Sequence, residues 1–233
     1  MQVMQTRLLA IFAALVTAAA LLAGCSGGED NKNLPDAATL LKQSAEYTKG
    51  QTSAHLLLKV EGDIPTLPIE SLEGDLTLKP TVAAQGKANL AFLGQRLEGV
   101  GFVVVDGTLY AAITAGTYQD FGPAADIYDV SALLSPEKGV GNVISNFSDP
   151  KSEGRETING TKGVRVTGTI STEAVNAIAP QLDVTKPVPG TAWVAEEGNH
   201  ELLQVKMEPA EGQSVTITPS EWGKPVTVTK PAV

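Results

Sequence analysis

A chain of 233 residues with 42% hydrophobic and 18% charged side chains has globular composition and fits one ordinary domain or two small ones. Its 17 basic against 26 acidic side chains leave a net charge of −9, which argues against a nucleic-acid partner because phosphate recognition needs a basic face. The single cysteine rules out an internal disulfide and a multi-thiolate zinc site.

Arg7 is the only charged side chain before Cys25, and the apolar run from Leu8 to Ala23 that follows it is interrupted by Thr17. That run is shorter than the ~20 residues a bilayer-spanning helix needs, so residues 1–24 read as a cleaved export signal. The run closes on Leu22-Ala23-Gly24-Cys25, which resembles a bacterial lipobox. Small residues suit the lipoprotein signal peptidase, and a thiol is the side chain that accepts a diacylglyceryl thioether. Cys25 is therefore the expected lipid attachment site, on the outer face of the inner membrane, with the cell wall or secretion as further destinations. Two or three acyl chains hold such an anchor stably where one is marginal. Residues 25–33 are polar and Gly-rich and read as a flexible tether, leaving 34–233 as the functional domain.

Leu34 to Lys49 carries helix signals: Pro35 and Asp36 at its start, apolar positions at Ala37, Leu40, Leu41 and Ala45, and Gly50 past its end. From Ser53 the period becomes two. Ala54, Leu56, Leu58 and Val60 alternate with polar neighbours, and Leu72, Gly74, Leu76 and Leu78 do the same. The alternation continues through Ala88, Leu90 and Phe92 and through Val100, Phe102 and Val104, and Asp106-Gly107 signals a hairpin before Thr108 to Ile113. Later strands are expected at 163–170, 192–196, 201–208, 214–218 and 226–229, about ten in all. Helical candidates lie at 130–134, 137–147 and 172–179. A sheet with one apolar face needs a cover. Many inward positions are small (Ala54, Gly74, Ala88, Gly168, Ala195), which suits either close helix packing or a cavity.

Catalytic chemistry finds little footing. Nucleophilic catalysis needs a base beside the nucleophile, and the only histidines, His55 and His200, fall on a polar strand face and in a turn. Gly99-x-Gly101 and Gly139-x-Gly141 lack the third glycine of a dinucleotide loop. Asp120, Asp126 and Asp129 cluster, but loop solvation and capping, as by Asp129 before Val130, account for them.

The segments Asp120 to Asp129, Glu153 to Gly160 and Ala174 to Pro180, together with the lipobox, Val103 to Gly107 and Trp222-Gly223, resemble the LppX/LprG family of mycobacterial lipid-carrying lipoproteins over the whole mature domain. The resemblance implies an α+β fold: a curved antiparallel sheet forming an incomplete β-barrel, partly covered by short helices, around a large apolar cavity. The cargo it implies is the acyl chains of triacylated glycolipids (phosphatidylinositol mannosides, lipomannan, lipoarabinomannan) or triacylglycerol, moved toward the outer envelope with a major-facilitator exporter. It implies no enzyme, metal or cofactor.

On this reading the cavity is lined by Leu56, Leu58, Val60, Leu72, Leu76, Leu78, Ala88, Leu90, Phe92, Val100, Phe102, Val104, Val164, Val166 and Ile170. Two or three acyl chains call for about 1,000 Å³ or more, the upper end for ordinary ligand sites. Two rivals stand beside it. One is a structural or signalling lipoprotein with a solid core and a protein partner, and the other a lipid hydrolase using Asp120 or Asp126.

Overall fold

The computed structural model describes residues 32–92, 94–114 and 116–233, without the side chain of Phe92. Cys25 and the signal and tether residues before Lys32 lie outside the described residues. Helix α1, Ala37–Lys49, starts where Asp36 accepts from the Thr39 N–H at 2.9 Å and buries Ala37, Leu40, Leu41 and Ala45. The capping carboxylate satisfies one of the orphan N–H groups of the first turn.

Strands β1 (Ser53–Glu61), β2 (Ile69–Thr77), β3 (Ala83–Phe92), β4 (Gln95–Val105), β5 (Thr108–Thr114) and β6 (Thr117–Pro123) run outward from the sheet centre as a meander. Asp106 and Gly107 have φ of 52° and 76°, the paired positive values that a two-residue hairpin turn requires. Two 3-10 turns, Ala124–Asp126 and Val130–Leu134, and helix α2, Val140–Ser145, then lead to the opposite edge. The return meander is β7 (Phe147–Ile158), β8 (Thr161–Ile170), β9 (Val188–Ala195), β10 (Leu202–Met207) and β11 (Ser214–Ser220), with helix α3, Thr172–Ile178, between β8 and β9. β11 closes against β1, so one antiparallel sheet of 11 strands runs β6-β5-β4-β3-β2-β1-β11-β10-β9-β8-β7, with β6 and β7 as its edges.

Three strand expectations need correction. Residues 226–229 form no strand, whereas β6 and β7 do. The alternation Val226-Thr227-Val228-Thr229 looks like a strand, but Pro225 and Pro231 flank it and withhold N–H groups from any ladder. β6 and β7 are edges with one neighbour each, and register shifts break both pairings. Their polar, Pro- and Gly-containing sequences therefore show no clean alternation.

Candidate functional site

The register of the ladders lines up alternate residues across the sheet. Val166 faces Ala192, Ala192 faces Val205, Val205 faces Ile217, and Ile217 faces Leu58. The row continues from Leu58 to Leu72, Ala88 and Val100. It is one apolar stripe over eight strands without a charged side chain. A parallel row runs from Ala54 through Leu76 and Ala84 to Val104. Between the two, Leu56, Gly74, Gly86 and Phe102 are successive partners. At Gly74 a β-carbon would strike the carbonyl oxygen of Gln85, and at Gly86 that of Glu73, so the backbones come too close there for any side chain. Glycine at both positions leaves room on the inner face between Leu56 and Phe102.

The two halves of this face are covered differently. Val164, Val166, Ile170, Ala192, Val194 and Val205 are completely buried, in one core cluster with Leu40, Val140, Val143 and Val175 of the three helices. Leu56, Leu76 and Val104 belong to that cluster as well. Leu58, Val60, Leu78 and Phe102 are half-buried against it, and Leu72 and Leu90 are half-buried. Ala88 and Val100 are buried but stand apart from the cluster. Phe92 is placed only by its backbone, opposite Gln95.

The positions overlooked in the sequence are Ala192, Val205, Met207, Val215 and Ile217, which continue the same face on β9 to β11. Their alternation was the available signal. It is obscured by the irregularity between Leu202 and Gln204, which puts Leu202 and Leu203 both among buried residues.

The cover is tied together by polar contacts to backbone. Tyr128 donates its hydroxyl to the carbonyl of Ile178 at 2.8 Å, joining the 124–134 segment to the end of α3. Burial there pushes the phenol far above its ordinary value, with Asp129 adding to the shift, so it stays a donor throughout the physiological range. Asn176 donates to the Val184 carbonyl and accepts from the Val184 N–H, both at 2.9 Å, which folds the loop after α3 back on itself. Asp129 caps the 3-10 turn by accepting from the Ser131 N–H, and Asp120 accepts from the Gly122 N–H at 2.7 Å. Both carboxylates thus have local structural partners, while His55 pairs with Asp75 at 2.8 Å on the outer side of the sheet.

Among the described residues no group of three or more His, Cys, Asp or Glu side chains is placed to hold a metal ion, and no helix is long and apolar enough to cross a membrane. A groove of about 380 Å³ lies between α1, α2 and the start of β7, bordered by Leu41, Ala45, Ile144 and Phe147. It shares no residue with the expected lining.

An open antiparallel sheet, curved into an incomplete barrel with helices over part of its apolar inner face, defines the class of protein. The chain belongs to the LppX_LprAFG lipoprotein family, whose model matches residues 36–228. It is 59% identical to the lipoarabinomannan carrier protein LprG of Mycolicibacterium hassiacum, an alignment covering 98% of this chain and 100% of the relative. It is 54% identical to the protein of the same name from Mycolicibacterium smegmatis, again over 98% and 100% of the two chains. The crystal structure of LprF from Mycobacterium bovis superposes with a TM-score of 0.78 at 31% identity, covering 86% of this chain and 99% of that one. The family and the open, helix-covered sheet expected from the sequence therefore both hold.

Proposed function

We propose that this chain carries acylated glycolipid across the aqueous space of the envelope, with the acyl chains held against the inner sheet face and the sugars outside. The observation that carries the reading is the apolar row from Val166 to Val100, continuous over eight strands and helix-covered over only part of its length. Each methylene removed from water contributes about 0.8 kcal/mol, so burial alone retains a long chain and no catalyst is needed. Relatives at 59% and 54% identity named as lipoarabinomannan carriers support a glycolipid cargo. Phosphatidylinositol mannosides, lipomannan and triacylglycerol share the acyl chemistry.

Of the fifteen positions predicted above, the twelve from Leu56 to Val104 are the lining we propose, while Val164, Val166 and Ile170 continue the same face beneath the helices. The half-buried Leu58, Leu72, Leu90 and Phe102 make the first contacts. Cys25 carries the lipid anchor, residues 25–33 are the tether, and a major-facilitator exporter is the partner that receives or delivers cargo. The protein is not an enzyme on this reading.

Residues 26–233, expressed without the signal and anchor, should copurify with acylated lipid, identified by mass spectrometry of an organic extract. Lipid-free protein that also takes up no added glycolipid would return the chain to the structural-lipoprotein reading. Cys25→Ala in the full chain should abolish labelling by a fatty-acid probe; unchanged labelling would remove the anchor from Cys25.

A further inference from the structure

Beyond β11 the chain joins no ladder of the sheet, yet it is pinned to the sheet's outer face. The Gly223 N–H donates to the Ser53 carbonyl at 3.0 Å, and the Ser53 hydroxyl donates to the Lys224 carbonyl at 2.7 Å. Lys224, Pro225, Val226 and Thr227 border a cleft of about 130 Å³ with His55, Asp75 and Gln85. Further on, the ammonium of Lys230 stands 5.3 Å from the centroid of the Tyr110 ring. The Tyr110 side chain first, with Asp120 and Asp106 nearby, holds that ammonium above the ordinary lysine range.

These contacts lie along a single line. His55, Asp75, Gln85, Val103 and Tyr110 are successive cross-strand partners on β1, β2, β3, β4 and β5. Four strand spacings at ~4.8 Å make about 19 Å. The six steps from Lys224 to Lys230 would span about 19–20 Å at the ~3.1–3.3 Å per residue of an extended or polyproline chain. The segment is therefore long enough to cross these strands, since a chain yields at most ~3.3–3.6 Å per residue, and the Lys230 side chain adds reach at its far end. It explains why Val103 and Tyr110 are 7% and 3% exposed although they lie on the outer face, away from the central core.

A cord of fixed length attached at both ends on the outer side of the sheet has a definite mechanical effect. If β2 to β5 curl further inward the outer arc lengthens, and the length of the cord limits how far that can go. If they flatten, it goes slack. We propose that residues 224–230 are a strap that sets how far the open half of the sheet curls over the inner face, and thereby how many acyl chains the protein accommodates. The inference rests on the lipid-carrier reading and adds a specificity-determining element to it.

The test uses two variants of the otherwise complete chain. In one, three glycines inserted between Thr227 and Val228 lengthen the strap while keeping both of its attachment points. In the other, Lys230→Glu sets a carboxylate against Asp120 and Asp106 and frees the far end. Binding is compared for a fluorescent triacylglycerol and for a single-chain fluorescent fatty acid. The slack strap should lower the ratio of triacyl to single-chain affinity about tenfold, leaving single-chain affinity within about twofold of the parent. Lys230→Glu should move the ratio in the same direction. A folded slack variant with the parental ratio overturns the strap but leaves the carrier reading intact. A parent that binds neither probe overturns the carrier reading and the strap's role with it.

Discussion

The two halves of the sheet's inner face are made of the same kinds of residue and joined by the same ladder, yet they end in different physical states. On β8 to β10, Val164, Val166, Val194, Leu202 and Val205 are fully buried among helix side chains. On β1 and β2, in the same cross-strand row as Val166 and Val205, Leu58 and Leu72 are only half-buried. Side-chain chemistry does not make one half a core and the other a receptacle; the placement of three short helices does. A sheet face that forgoes burial over part of its length gives up stability there, since apolar area left in water contributes nothing. It gains a surface on which another apolar chain can be buried.

The largest expected effect tests the covered half. Leu202→Ala removes a fully buried side chain from the core cluster and should lower unfolding free energy by about 3–4 kcal/mol in denaturant titration. A loss below ~1 kcal/mol would mean that this half is loosely packed, and the contrast between the halves would fall.

Leu72→Trp sharpens the other side. Leu72 sits mid-row between Leu58 and Ala88 and is half-buried. In a filled core the added bulk costs about 1–3 kcal/mol through displaced neighbours. Over an unfilled face the variant should melt within a few degrees of the parent and retain at most about a tenth of the parental glycolipid, because the indole occupies the acyl space. A variant that is both stable and fully lipid-loaded would move the lining elsewhere on the sheet.

How much of this was legible in the sequence depended on how many neighbours each segment has. α1 was legible because Asp36 and Gly50 mark its ends and its buried positions repeat at helical spacing. β1 to β5 and β8 were legible because one face is buried and the other is not, so alternation survives. β6 and β7 were not, since an edge strand is relieved of that pattern by its free side and by its bulges. The strap was misread as a strand because period two records an extended chain and says nothing about its direction. On β1 to β4 and β8, alternation predicted an inner face that the ladder register then assembled residue by residue. The boundary between covered and open halves was invisible, because it depends on where α2 and α3 come to rest.

The smallest effect concerns charge in the two halves of the sheet. Arg155 holds Glu196 with two hydrogen bonds, Nε to Oε2 at 2.7 Å and Nη2 to Oε1 at 2.5 Å, with side chains 13% and 23% exposed, and so fastens edge strand β7 to the chain leaving β9. Those hydrogen bonds, and then the nearby Arg155 and Lys162 charges, hold Glu196 below the ordinary glutamate value of 4.5 despite partial burial. A carboxylate depressed in the folded state contributes stability that is complete above its unfolded pKa and is lost as pH falls through its folded one. The parent should therefore lose stability more steeply below about pH 4.5 than Glu196→Gln does, by up to about 1 kcal/mol in total. The counterpart in the open half, Arg96 with Glu70, has side chains 66% and 32% exposed, and solvent and salt screen it. Glu70→Gln should cost less stability at neutral pH than Glu196→Gln does, read by denaturant titration. If both variants cost the same, the two halves of the sheet are fastened alike by charge, and the contrast between them comes from the helices alone.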